Sequence, residues 1–132
     1  MVADLSVSLG GFKAATERIE TSANNIANRD STAKLEQDGS FSNEPYRPQT
    51  VQTVSQQQGG VTTVRSERDN PTVERYEPSS GVADENGFVE APNIDPAQEF
   101  INLSIASYTA EANLVAIQRQ DEIFEATVDI FT

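Results

Sequence analysis

The chain has no cysteine and no histidine among its 132 residues. Disulfide bonds, thiolate or imidazole metal sites and nucleophile–base pairs that use these side chains are therefore excluded. Aromatic residues are also scarce, at 7% of the chain, and a large hydrophobic core normally contains more of them. We accordingly expect one small domain with no catalytic residues, no cofactor and no metal site.

Basic residues are few as well. Lys and Arg number 9 against 21 Asp and Glu, and the formal net charge is −12. We expect no nucleic-acid partner, because phosphate binding needs a basic face, and an anionic membrane surface is disfavoured for the same reason. Runs of about 18 apolar residues are missing, so we also expect no direct membrane insertion.

A conventional export signal is absent from the start of the chain. Residues Met1 to Ala15 have neither the basic region nor the continuous apolar core of a signal peptide. If the protein leaves the cytoplasm, we expect export without a cleaved signal peptide.

Only the acidic residues between 84 and 95 suggest chemistry. Asp84, Glu85, Glu90 and Asp95 would be candidates for the paired carboxylates of glycoside hydrolysis or for a calcium loop. No group of aromatic residues surrounds them, and their spacing is not that of a calcium loop. Roles in a turn and a helix cap account for Asp84 and Asp95, so we predict no active site here.

The last quarter of the chain, Pro96 to Phe131, is predicted to be one long helix, because it contains no Gly or Pro after its first residue. Asp95 is placed to cap it, Pro96 suits the first helical position, and Gln98 falls where a capping box needs Gln or Glu. Apolar residues recur there in a heptad pattern, which is typical of one helix packing along another. The heptad consists of Leu103, Ala110, Ile117, Phe124 and Phe131, with Ser107, Leu114 and Val128 four residues further on.

A second heptad helix is predicted near the N-terminus, from about Leu5 to Asn28. Because two adjacent glycines weaken a helix by about 1 kcal/mol each, we expect a kink or a late start at Gly10–Gly11. The three Asn residues at its end favour a helix terminus. Its large heptad residues are Leu5, Phe12, Ile19 and Ile26, and the small residues Ser8, Ala15 and Ser22, three positions further on, allow close approach.

The middle of the chain is polar and rich in turn residues. Short strands are predicted at Tyr46 to Val54, Val61 to Val64 and Pro71 to Tyr76, with turns at Gln56 to Gly60 and Ala83 to Gly87. The expected fold is mainly α: long N- and C-terminal helices form a coiled-coil-like pair, with a small extended or β middle segment. The expected segments are an N-terminal axial helix (1–30), an extended loop or β-hairpin arm (31–94) and a C-terminal axial helix (95–132).

Several motifs resemble a known family. Ala23–Asn28, at the end of the first helix, resembles the signature of bacterial flagellar axial proteins, the rod and hook proteins. Further motifs are similar, in the same order, to those of the proximal-rod members of that family: Glu44–Arg47, Asp69–Pro71, Tyr76–Pro78, Ala83–Val89, Ala91–Ile94 and Glu111–Asn113. The resemblance covers nearly the whole chain.

The resemblance implies a structural subunit of the flagellar basal-body rod. Implied partners are proximal and distal rod subunits, the rod–export-gate adaptor, further copies of the chain in a helical assembly, and the flagellar type III export apparatus. The implied location is the periplasm-spanning rod. From heptads and charge alone, a small acidic cytoplasmic adaptor or export chaperone that binds a partner's amphipathic helix remains an alternative.

Under the rod hypothesis, residues from both helices are expected to form the assembly interface. They are Leu5, Phe12, Ile19, Asn25, Ile26, Asn28, Leu103, Ala110, Asn113, Leu114, Ile117, Phe124, Val128 and Phe131.

Overall fold

The structure is a computed structural model and describes residues 2–34, 43–57 and 59–129. A helix stands at each end of the sequence and a small antiparallel strand region lies between them in the chain, as the sequence predicts. The predicted interface residue Phe131 lies outside the described residues. The elements are α1 (Val2–Ala27), β1 (Gln49–Ser55), β2 (Val61–Glu67), β3 (Thr72–Tyr76), β4 (Phe88–Pro92) and α2 (Pro96–Asp129).

Helix α2 begins where the sequence predicts. Oδ1 of Asp95 accepts the backbone N–H of Ala97 at 2.9 Å and that of Gln98 at 3.4 Å. Pro96 occupies the first helical position, where a missing N–H is tolerated. Glu99 adds a negative charge to the first turn, which the helix dipole favours. The predicted cap at Asp95 is therefore confirmed.

Helix α1 is continuous from Val2 to Ala27, so the late start expected at Gly10–Gly11 is wrong. The two glycines instead allow other elements to approach closely. A Cβ atom on Gly10 would lie 3.1 Å from the backbone oxygen of Val61, and one on Gly11 would lie 2.4 Å from Oδ1 of Asn113. The helix thus accepts two weak helix formers at the positions where neighbouring groups come closest.

The first two strands, β1 and β2, form a two-stranded sheet. The N–H of Gln56 donates to the oxygen of Gly60 at 3.1 Å, and the N–H of Arg68 donates to the oxygen of Pro48 at 2.9 Å. These bonds close the two ends of an antiparallel hairpin. Its tip lies beside the first turns of α1, because a Cβ atom on Gly60 would be 3.7 Å from the backbone of Val7.

The other two strands, β3 and β4, form an antiparallel hairpin that runs from the Thr72–Pro92 pair to the Tyr76–Phe88 pair. On its other edge β4 exchanges two backbone hydrogen bonds, both 2.9 Å, between Glu90 and Ala33. The described part of the segment between α1 and β1 thus contributes one bridging residue, Ala33. Hydrogen bonding on both edges makes β4 the most enclosed strand, with Val89 and Ala91 buried.

The carboxylate of Asp84 organises the turn between β3 and β4. Its Oδ1 accepts the backbone N–H groups of Phe88 at 2.7 Å and Asn86 at 2.9 Å. These bonds, that of Phe88 above all, lower the pKa of Asp84 below its ordinary value. The predicted turn role of Asp84 is therefore confirmed.

The chain divides into two compact units. One contains Met1–Glu20, Val51–Arg65 and Ile101–Thr132, and the other contains Thr21–Thr50 and Ser66–Phe100. The buried apolar side chains of the described residues are small, which limits the area each removes from water. They are Ala14, Ala15, Ala33, Val89, Ala91 and Ala106.

We expect Gly87→Ala to loosen the β3–β4 hairpin. Gly87 has φ of +86°, and a Cβ atom there would lie 2.9 Å from Cε2 of Tyr76 and 3.0 Å from Cβ of Pro78. The left-handed backbone alone costs a non-glycine residue about 1–2 kcal/mol. Hydrogen exchange should show reduced protection of the β3 and β4 amides. Gly81→Ala is the control, because nothing lies within 4 Å of its Cβ position, and equal protection in both variants would contradict the prediction.

Candidate assembly interface

On α1, small side chains are buried while large ones remain accessible. Ser8, Ala15 and Ser22, predicted to allow close approach, are all buried. A helix that packs through such residues brings its backbone near its neighbours and leaves its larger apolar groups at the edges of the contact. Of the large heptad residues, Phe12, Ile19 and Ile26 are half-buried and Leu5 is exposed.

We call the less accessible side of α2 its inner face. Its residues repeat every seven positions, as predicted, but the second residue of each repeat lies three positions after the first and not four. Leu103, Ala110 and Ile117 are half-buried, as a packed seam requires. The residues four further on, such as Leu114, are exposed, whereas those three further on are less accessible. Ala106 is the clearest example, with 1% exposure. The inner face therefore consists of Leu103, Ala106, Ala110, Asn113, Ile117 and Gln120.

The opposite side of α2 carries a second apolar heptad, which we call the outer stripe. It consists of Ile101, Ile105, Tyr108, Ala112 and Val115, separated alternately by four and three residues. All five are exposed, to 53% for Ile101, 56% for Ile105, 73% for Tyr108 and 46% for Val115. None of the five is among the predicted interface residues, which on α2 follow the heptad through Leu103. Counting the same period from Ile101 would have found the outer stripe.

The remaining predicted interface residues of α2 differ in accessibility. Phe124 is 60% exposed, and Leu114 and Val128 are also exposed. Asn113 is half-buried beside Gly11 and donates its Nδ2–H to the Thr109 oxygen at 2.8 Å. The predicted set thus combines residues that face other parts of the chain with residues that face outward.

Asn25 is fully buried and connects α1 to the start of β1. Its Nδ2–H donates to the Gln49 oxygen at 2.9 Å, and its Oδ1 accepts the Gln49 N–H at 3.0 Å. The hydroxyl of Tyr46 donates to the same Oδ1 at 2.9 Å. The amide therefore pairs with both backbone groups of one residue, as a neighbouring strand would. Asn28, also predicted at the interface, is half-buried and donates its Nδ2–H to the oxygen of Asn24 at 2.9 Å.

A buried ion pair joins the first turn of α2 to the end of β2. The Glu99 side chain is 0% exposed and contacts Nη2 of Arg68. Several arginines of the middle segment pair with acids distant in sequence. Arg68 is the clearest case, because a charge as buried as that of Glu99 requires a partner. The other distant pairs are Arg47 with Glu67, Arg65 with Glu20, and Arg75 with Asp30. Arg75 also pairs locally, with Glu77.

Within residues 2–34, 43–57 and 59–129, no group of three or more Asp and Glu side chains is arranged to hold a metal ion. Across the same ranges, no helix is both long and apolar enough to cross a membrane.

Comparison with known proteins gives consistent relatives. A family model for the C-terminal region of the flagellar basal-body rod FlgEFG proteins matches residues 85–130. The flagellar basal-body rod protein FlgC of Aquifex aeolicus is 33% identical over 127 residues, covering 95% of this chain and 92% of that protein. The FlgC proteins of Salmonella typhimurium and Bacillus subtilis are 35% and 26% identical, covering 76% and 86% of this chain and 75% and 86% of their own lengths.

We expect Asn25→Ala to destabilise the protein, because the substitution leaves the N–H and C=O of Gln49 without their partner. Each orphaned group costs about 1–3 kcal/mol. Urea unfolding should show the loss. Asn24→Ala, at the exposed neighbouring position, should change the free energy of unfolding by only about 0.5 kcal/mol. Equal effects of the two substitutions would mean that the Asn25 hydrogen bonds contribute nothing specific.

Proposed function

Since the chain belongs to the FlgC family of flagellar basal-body rod proteins, we propose that it polymerises with other rod proteins into the helical drive shaft that transmits motor torque to the hook. It is a structural subunit of the basal-body rod and not an enzyme. The outer stripe of α2 carries the proposal. A helix packed on one face and apolar on the opposite one requires a second partner, and contacts repeated by a screw operation build a tube.

In this proposal α1 and α2 form a coiled-coil-like pair, and the segments 1–30 and 95–132 build the inner wall of the tube. Support comes from the approach of Gly11 to Asn113 and from the half-buried heptad residues Leu103, Ala110 and Ile117. The segment 31–94 forms the arm, on the outside of the wall. Its two hairpins have no continuous apolar stripe comparable to those of the helices.

The proposed partners follow from membership of the rod family. They are proximal and distal rod subunits, the rod–export-gate adaptor and further copies of the chain. The protein reaches its place in the periplasm-spanning rod through the flagellar type III export apparatus. The exposed residues Leu5, Leu114, Phe124 and Val128 supply additional apolar area for such contacts.

The pairing of the helices is testable at Gly11. In Gly11→Ala the added methyl group would overlap the Asn113 side chain, whose Oδ1 lies 2.4 Å from the Cβ position. We expect a lower free energy of unfolding, by about 1–3 kcal/mol. Adding Asn113→Ala should recover most of that loss, because it removes the overlapping atoms. Additive effects in this double-mutant cycle would argue against a close helix pair at this point.

The outer stripe is testable at Ile105. Its side chain is 56% exposed, so Ile105→Asp should leave the fold of the subunit intact while placing a charge in the assembly contact. We expect the variant to be absent from purified basal bodies and the cells not to swim in soft agar. Gln57→Asp is the control, since it adds the same charge at an exposed position of the turn between β1 and β2, away from the stripe and its flanks.

Comparing the two variants tests whether the outer stripe is an assembly surface. Immunoblots of basal bodies and of cytosol should find the Gln57→Asp protein in the rod and the Ile105→Asp protein only in the soluble or exported fractions. Normal incorporation of Ile105→Asp would contradict an assembly role for the stripe.

A further inference from the structure

We propose that the outer stripe binds a basic amphipathic helix of a different rod subunit, and not the same face of a second copy of this chain. The inference rests on the proposed function and concerns the chemistry of the partner. It starts from the residues that flank the stripe, because charges at such flanking positions set which helices pair in a coiled coil.

One flank of the outer stripe, followed along α2 past the last stripe residue Val115, carries two acids. This flank consists of four residues that recur every seven positions, Ser104, Glu111, Gln118 and Glu125. The first two directly precede the stripe residues Ile105 and Ala112. Glu111 and Glu125 are both exposed, and neither has an ion-pair partner in the described part of the chain. The opposite flank consists of Asn102, Thr109, Ala116 and Ile123, which are all uncharged.

Helix α2 itself supplies almost no basic side chain that could pair with these acids. Arg119 is the single basic residue between Pro96 and Asp129, and its guanidinium is already 2.7 Å from the Glu122 carboxylate. Asp121 and Glu125 lie four residues apart on the helix, and like charges at that spacing destabilise it. No basic residue occupies the last turn of α2 to balance the helix dipole there. The acids of the flank therefore do not stabilise α2 in the isolated subunit.

A second copy of α2 that packed against the stripe would gain no electrostatic attraction from the acidic flank. If two copies pair antiparallel through the stripe, Glu111 and Glu125 of one face the same acids of the other. If they pair parallel, the acids face the uncharged flank. Helix α1 of a second copy is neutral between Leu5 and Glu20, because Lys13 and Arg18 are balanced by Glu17 and Glu20. A helix with Lys or Arg beside its apolar seam is complementary to the acidic flank.

The test compares two variants of the full chain that carry the same charge change. Glu111→Gln with Glu125→Gln neutralises the flank, and Glu74→Gln with Glu85→Gln removes two exposed acids elsewhere. The probes are two synthetic helices with the same leucine seam, one with Lys at the flanking positions and one with Glu. Fluorescence anisotropy gives the Kd of each pair, at low and at moderate salt.

The unaltered chain should bind the Lys-flanked probe more tightly, and added salt should reduce the difference. Neutralising Glu111 and Glu125 should weaken that binding by about three- to tenfold, as expected for the loss of two exposed ion pairs, while the control double variant should bind like the unaltered chain. Equal binding of both probes, or equal losses in both variants, would overturn the proposal.

Incorporation into basal bodies separates this inference from the proposed function. Glu111→Lys with Glu125→Lys should reduce the amount of protein in purified rods. If Ile105→Asp prevents incorporation while the double lysine variant assembles normally, the stripe is an assembly surface but its partner is not basic, and the inference fails alone. Dimerisation of the unaltered chain that is lost in Ile105→Asp would also overturn it, because a second copy would then occupy the stripe.

Discussion

The close approach permitted by the small residues of α1 is the constraint on which the rest of the structure depends. Ser8, Ala15 and Ser22 are buried, and the glycines between the first two admit the backbone of β2 and the side chain of Asn113. Larger residues at these positions would push the neighbouring elements outward. The glycines weaken α1 as an isolated helix, and contacts with its neighbours offset that weakness.

A core built from small side chains leaves the large apolar ones at the surface. Apart from prolines, five of the six buried apolar residues in the described ranges are alanines, whereas Ile105, Phe124 and Tyr108 are mostly exposed. Burying a large side chain removes several times more apolar area than burying a methyl group does. Much of the large apolar surface of the described residues is therefore left accessible within the subunit, where the proposed assembly would bury it.

The parts of the fold that could be predicted depend on local rules. Capping by Asp95, the heptads and the turn at Asp84 follow from spacing and residue type alone. The spacing within the α2 heptad could not be predicted. Ala106 lies three residues after Leu103 and Leu114 lies four after Ala110, and both spacings fit a heptad. The sequence alone does not show which of the two residues faces the rest of the chain. The partners of Asn25 and Glu99 could not be predicted either, since they come from strands distant in sequence.

The buried polar contacts complement this weak apolar core by fixing geometry. Asn25 can satisfy both backbone groups of Gln49 in only one arrangement, and Glu99 is buried against Arg68 at the start of α2. Such groups contribute little net stability, since removing them from water offsets much of the gain. They do penalise every alternative arrangement in which they lose their partners. In a polymer that repeats one contact many times, small errors in subunit shape accumulate along the axis, so this rod subunit needs a defined geometry more than it needs high stability when isolated.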